Sequence, residues 1–147
     1  MSNITKSAKL TRVINFTAAG TTAVNSSIVD MKGYDSVTFL VGFGAIVAGA
    51  VTSVKVQQGA ASNMSDAADL AGTGVTVADT DDNRILAIEV NQPRERYLRC
   101  VVSRATQNST IDFGLAQQSK AGTEPVTHDA TTVIGTEFHQ GPAEGTA

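Results

Sequence analysis

Ser36-Val37-Thr38-Phe39-Leu40-Val41 is β-branched or aromatic at four of its six positions, a composition suited to the pleated surface of a strand. With almost no polar alternation, it predicts a central strand buried on both faces. The chain then enters Gly42-Phe43-Gly44-Ala45-Ile46-Val47-Ala48-Gly49-Ala50, which reads as a glycine-rich apolar connection. From Val51 to Gln58 the residues alternate, with Thr52, Val54, Val56 and Gln58 opposite Val51, Ser53, Lys55 and Gln57. Two extended segments joined by glycines predict a hairpin.

The same reading extends outward from this pair. Leu10 to Phe16 alternates as a strand would, with Leu10, Arg12, Ile14 and Phe16 on one face, and Val24 to Val29 gives a second short strand. Beyond the hairpin, Ser65 to Leu70 reads as a helical turn with Ser65 at its start. A short β segment within Thr73–Asp79 and the strands Arg84–Asn91, Arg96–Arg104 and Thr110–Gln117 follow. Six to eight strands without a long helix predict an all-β fold, an antiparallel β-sandwich or open barrel. The expected organisation is a basic N-terminal extension over 1–9, a body over 10–118 and a C-terminal arm over 119–147.

The arm has too few large apolar residues to fold alone, yet Val126, Val133, Ile134 and Phe138 are spaced as anchors that a partner surface would bury. The two ends also differ in charge. Lys6, Lys9 and Arg12 face no acid in the first twelve residues, whereas Lys120 stands against Glu124, Asp129, Glu137 and Glu144 in the arm. Opposite ends of this kind suit pairing between neighbouring subunits or contact with a charged partner, the plainer reading being two solvated termini.

Composition narrows the functional classes. The 147-residue chain carries a net charge of −3, so no global field draws it to nucleic acid or an anionic membrane. Its longest apolar run, Val37 to Val51, is broken by glycines and falls short of the ~20 residues that span a bilayer. The opening residues lack the apolar core of a signal peptide, which predicts synthesis in a cytoplasm. Cys100 is the single cysteine and sits in an apolar strand, where a core thiol is expected.

The remaining polar groups carry no recognisable chemistry. Asp79, Asp81, Asp82 and Asn83 resemble the start of a calcium loop, but Arg84 and Val90 occupy the places of its glycine and its bidentate acid. His128 and His139 both lie in the arm, a poor mount for a general base, and they lack the further ligands that zinc requires. Arg94, Arg96, Arg99 and Arg104 gather positive charge on one strand and its turn, but Tyr97 is the only ring beside them. Ion pairs with a neighbour or with the Asp79–Asp82 turn are expected in place of nucleic acid binding. The glycines match neither a phosphate loop nor a dinucleotide fingerprint. These observations predict a non-enzyme without metal or cofactor.

Tyr34 to Val41, the segment ending Val54-Lys55-Val56-Gln57-Gln58-Gly59, Asp81 to Val90, and Arg96 to Arg104 together resemble the small β-sandwich decoration, or cement, proteins of tailed-bacteriophage heads. The likeness is one of pattern and spans about residues 30 to 147. It implies a structural protein on the capsid exterior, binding the major capsid protein and stabilising contacts between capsomers. It also implies a homo-oligomer, a dimer being favoured over a trimer because two-fold contacts are commonest. Lys6, Lys9 and Arg12 at one end, with Val126, Val133, Ile134 and Phe138 at the other, are the candidate contacts. A head–tail joining or tail accessory protein is the alternative, and a carbohydrate-binding module a weaker one, since such sites present aromatic platforms.

Overall fold

Residues 3–146 are described by a computed structural model; Met1, Ser2 and Ala147, counted above in the extension and the arm, lie outside them. A single helical turn, α1 (Ile4–Ser7), precedes eleven β segments. These are β1 (Lys9–Ile14), β2 (Thr17–Gly20), β3 (Val24–Asn25), β4 (Val29–Asp30), β5 (Tyr34–Ile46), β6 (Val51–Gly59), β7 (Ala68–Asp69), β8 (Val75–Val77), β9 (Ile85–Asn91), β10 (Tyr97–Ala105) and β11 (Ser109–Ala121). One sheet has the order β1-β11-β5-β9 with β2 beside β11. The other has the order β3-β10-β6-β7, with β4 on β10 and β8 on β6. Every pairing is antiparallel, and the two sheets remain separate, so the fold is a sandwich and not a barrel.

The opening hexapeptide lies at the centre of the first sheet, between β9 and β11. Val37, Phe39 and Val41 are fully buried, packed with Val54 and Val56 of β6 and Leu98, Cys100 and Val102 of β10 in one core. Thr38 and Leu40, on the outer face, are only half-buried, which corrects the expectation of burial on both faces. Strand β5 continues through the glycines to Ile46. Gly42 leaves room for the Phe113 ring, and Gly44 for Thr110 and Asp112, so these glycines admit side chains from β11 to the sheet surface.

The predicted hairpin is absent. Val47 to Ala50 carries the chain from one sheet to the other, so β5 pairs with β9 and β11 while β6 pairs with β10. Strand β6 nevertheless points as its alternation predicts, with Thr52, Val54 and Val56 inward. The connection from β10 to β11 crosses in the same way, placing the two crossings beside each other. A buried hydrogen bond of 2.6 Å between the Thr52 and Ser109 hydroxyls ties the sheets together near these crossings.

Local chemistry also overrides two other expectations. The predicted helical turn at Ser65–Leu70 does not form, because the Asp66 carboxylate accepts the amides of Ala60 and Ala61 at 2.8 and 3.2 Å and closes a loop. Ala68–Asp69 can then join Gln57–Gln58 as β7. In β1 a register shift between Arg12 and Ile14 turns both Val13 and Ile14 inward, leaving Phe16 63% exposed. Val24 to Val29 is split between β3 and β4, and the first sheet takes in Lys9 and residues 119–121 beyond the expected limits.

Candidate docking surface formed by the two chain ends

The C-terminal arm leaves β11 at Ala121 and turns back along β1, the outer strand of the first sheet. The β1–β11 register runs from Lys9 opposite Gln118 to Arg12 opposite Leu115. The amides of Leu10 and Arg12 instead point away from β11 and would be unpaired at a bare edge. Both are taken by side chains of the arm, Leu10 by His128 Nδ1 at 3.0 Å and Arg12 by the Thr132 hydroxyl at 3.1 Å.

His128 makes a second contact, because its Nε2 lies 2.7 Å from the Thr5 carbonyl. With Nδ1 accepting from Leu10, Nε2 is the donor in this pair. The Val126 amide donates to the Lys6 carbonyl at 2.9 Å, so the arm and the N-terminal segment are fastened at several points. A tight turn presents the polar groups involved: Asp129 accepts from the hydroxyls of Thr132 and Thr131 and from the Val133 amide through its carbonyl. The Thr132 and Thr131 hydroxyls hold the Asp129 carboxyl below its ordinary range.

The candidate residues are thus brought onto one side of the molecule, within one chain. The Lys6 ammonium lies over the Phe138 ring, 4.3 Å from its centre. Lys9 and Arg12 line a cleft of ≈ 370 Å³ together with Asp129 and Thr132. Among the four apolar candidates, Val126 and Val133 are half-buried against the molecule. Ile134 is fully exposed and Phe138 is 41% exposed, with Ile4 of α1 also 53% exposed. Two candidate anchors are therefore half-buried, and two keep more exposed surface. Of the residues that do the fastening, the sequence drew attention to His128 only as a poor base or zinc ligand and to Asp129 only for its charge, and to Thr132 not at all; polar residues in a tail carry no periodicity that announces a fold-back.

The other constellations are dispersed. Asp79 accepts the Gly49 amide at 2.7 Å, whereas Asp81 accepts the Ala78 amide and pairs with Arg84, so these acids stabilise turns and do not converge. No group of three or more candidate metal ligands occurs among the described residues. Arg96 makes a two-pronged pair with Asp30 at 2.8 and 2.9 Å, not with the Asp79–Asp82 turn, and this holds the Asp30 carboxyl low. Arg99 donates to Gln57 at 2.9 Å. Arg104 points inward, where its guanidinium donates to the carbonyls of Thr22, Ala18 and Ser109. Cys100 is buried, and burial raises its thiol pKa to about 11, as suits a core residue. His139 meets Glu137 at 2.8 Å on the exposed part of the arm.

No family model and no curated protein matches the chain. Among solved structures, the PBSX exported protein XepA resembles it with a TM-score of 0.54 and 19% identity over 95% of this chain. The chain spans about half of that protein, 46% of its length. A similarity of this kind establishes the shared fold. Dimeric latent PorU from Porphyromonas gingivalis gives a TM-score of 0.45 at 9% identity, covering 80% of this chain and 13% of its own, and carries no argument.

Proposed function

We propose that this protein is a non-catalytic structural component of a bacteriophage particle, docking on the outer surface of an icosahedral capsid and stabilising contacts between capsomers. The observation that carries the reading is the surface built by the two chain ends. The arm is fastened by polar contacts at its start, while Ile134 projects from it fully exposed and Phe138, with the Lys6 ammonium over its ring, remains 41% exposed. The phage-derived origin of XepA, whose fold this chain shares, supports the phage association. The major capsid protein is the proposed partner, and the virion exterior the proposed location after synthesis in the host cytoplasm.

The mechanism is additive burial. An arm tethered to a body that already touches the shell meets its second contact at high effective concentration, and many copies share the load. Apolar anchors supply the burial, while Lys6, Lys9 and Arg12 favour an acidic rim around it. Removing residues 122–147 tests the reading without cutting into β11, which ends at Ala121. The full chain is expected to co-sediment with expanded capsids and the truncated one to remain in the supernatant. Equal binding by the two would contradict the role of the arm, and binding at only six or twelve copies per particle would indicate a head–tail joint instead.

A further inference from the structure

Strand β9 forms the opposite edge of the first sheet and is the long edge left open among the described residues. Its register with β5 pairs Val37 with Val90, Phe39 with Ile88 and Val41 with Leu86. The flanking bonds, Gln92 amide to Asp35 carbonyl and Phe43 amide to Arg84 carbonyl, assign the backbone groups of the even-numbered β9 residues to β5. Those of Ile85, Ala87, Glu89 and Asn91 therefore point outward, and none has a partner among the described residues. The other edges are blunted. The arm covers β1, and the second sheet ends in β3, β4, β7 and β8, segments of two or three residues.

Strand β9 itself has no Lys, Pro or bulge, the usual devices that prevent edge pairing. Ile85 at its start is 67% exposed. We propose that β9 pairs antiparallel with β9 of a second copy across a two-fold axis, running one sheet through both protomers. The charges choose both the occupant and the register. Placing Ala87 opposite the second copy's Glu89 puts Ile85 opposite Asn91, so that the turn before β9, which carries Asp82, meets the turn after the second copy's β9, which carries Arg94. Asp82 and Arg94 are exposed and have no hydrogen-bond partner among the described residues. The two-fold repeats this match at both ends of the pairing.

The neighbouring registers are poorer. A shift in one direction sets the two Glu89 carboxylates against each other, and a shift in the other sets Glu89 against Ile85 and separates Asp82 from Arg94. The interface is isologous and closes on itself, so an open edge ends as a dimer and not as a filament. It involves a different face from the arm and stands whether or not the arm binds a capsid.

Sedimentation equilibrium on the full chain tests the pairing. The wild type is expected at twice the 15.2 kDa of one chain at micromolar concentration. Ala87→Pro removes one outward amide without taking a bond from β5, and is expected to yield a monomer that keeps its far-UV spectrum. Asp82→Arg is expected to weaken association about tenfold by setting two like charges together at each end. Combining it with Arg94→Asp should restore the dimer. A monomeric wild type would overturn the proposal. So would a folded Ala87→Pro dimer, or Asp82→Arg association as strong as that of the wild type.

Discussion

Arg104→Met is expected to lower the unfolding free energy by about 3 kcal/mol, seen as a lower urea midpoint with an unchanged slope. Arg104 is 6% exposed. Its guanidinium donates to the carbonyls of Thr22 at 2.8 Å, Ala18 at 2.9 Å and Ser109 at 2.7 Å. It therefore fastens β2 and the loop after it to the start of β11. Methionine fills much of the space but leaves these acceptors without their donor in a region of low dielectric, where lost hydrogen bonds are costly. Burial alone pulls the Arg104 pKa down, yet the group stays charged at neutral pH because its starting value is so high. Arg104→Lys should recover only part of the loss, since one ammonium cannot reproduce the guanidinium fork. A Met variant as stable as the wild type would show that water replaces the side chain at no cost.

Phe39→Ala should cost still more, about 4 kcal/mol, by the loss of a buried ring and the cavity left behind. Phe39 is 1% exposed and lies in the central strand of its sheet, where β9 and β11 hold the backbone on both sides and limit collapse. Phe39→Leu retains most of the volume and is expected to lose less than half as much. Thermal unfolding of both variants checks the order. An alanine variant no less stable than the leucine one would mean that the core relaxes around the vacancy.

The sequence made individual strands legible more readily than their partners. The alternation of Val51 to Gln58 correctly divided β6 into two faces, of which the one carrying Thr52, Val54 and Val56 is buried, because side-chain direction follows the pleat of a single strand. It could not reveal that Val47 to Ala50 crosses between sheets, because glycine and apolar residues suit a hairpin and a crossing equally. The helical turn near Ser65 failed for a similar reason: Asp66 reaches back to two amides, a contact defined by loop geometry that spacing does not encode. At the candidate surface, the opposite charges of the two ends suggested pairing between subunits or with a charged partner, whereas the ends meet within one chain through amides, an imidazole, a hydroxyl and a ring. Charge did not identify which protomer supplied each end. His128 resolves that point by joining Leu10 and Thr5 of its own chain.

This fold-back changes the task of the apolar arm residues. Val126 and Val133 are half-buried, so under the proposed function Ile134 and Phe138 are the side chains left to grip a neighbour. Phe138 is already engaged by the Lys6 ammonium, which leaves Ile134 as the side chain with most surface to bury. Burying it would contribute about 2 kcal/mol, and placing a carboxylate there would add a desolvation cost.

The most direct measurement is therefore the affinity of Ile134→Asp for expanded capsids, beside that of the wild type. Because Ile134 is fully exposed, the substitution should leave the thermal midpoint of the free protein unchanged. Capsid binding is expected to weaken by more than about tenfold, with corresponding loss of shell stabilisation. Unaltered binding by a variant as stable as the wild type would contradict the docking role assigned to the arm.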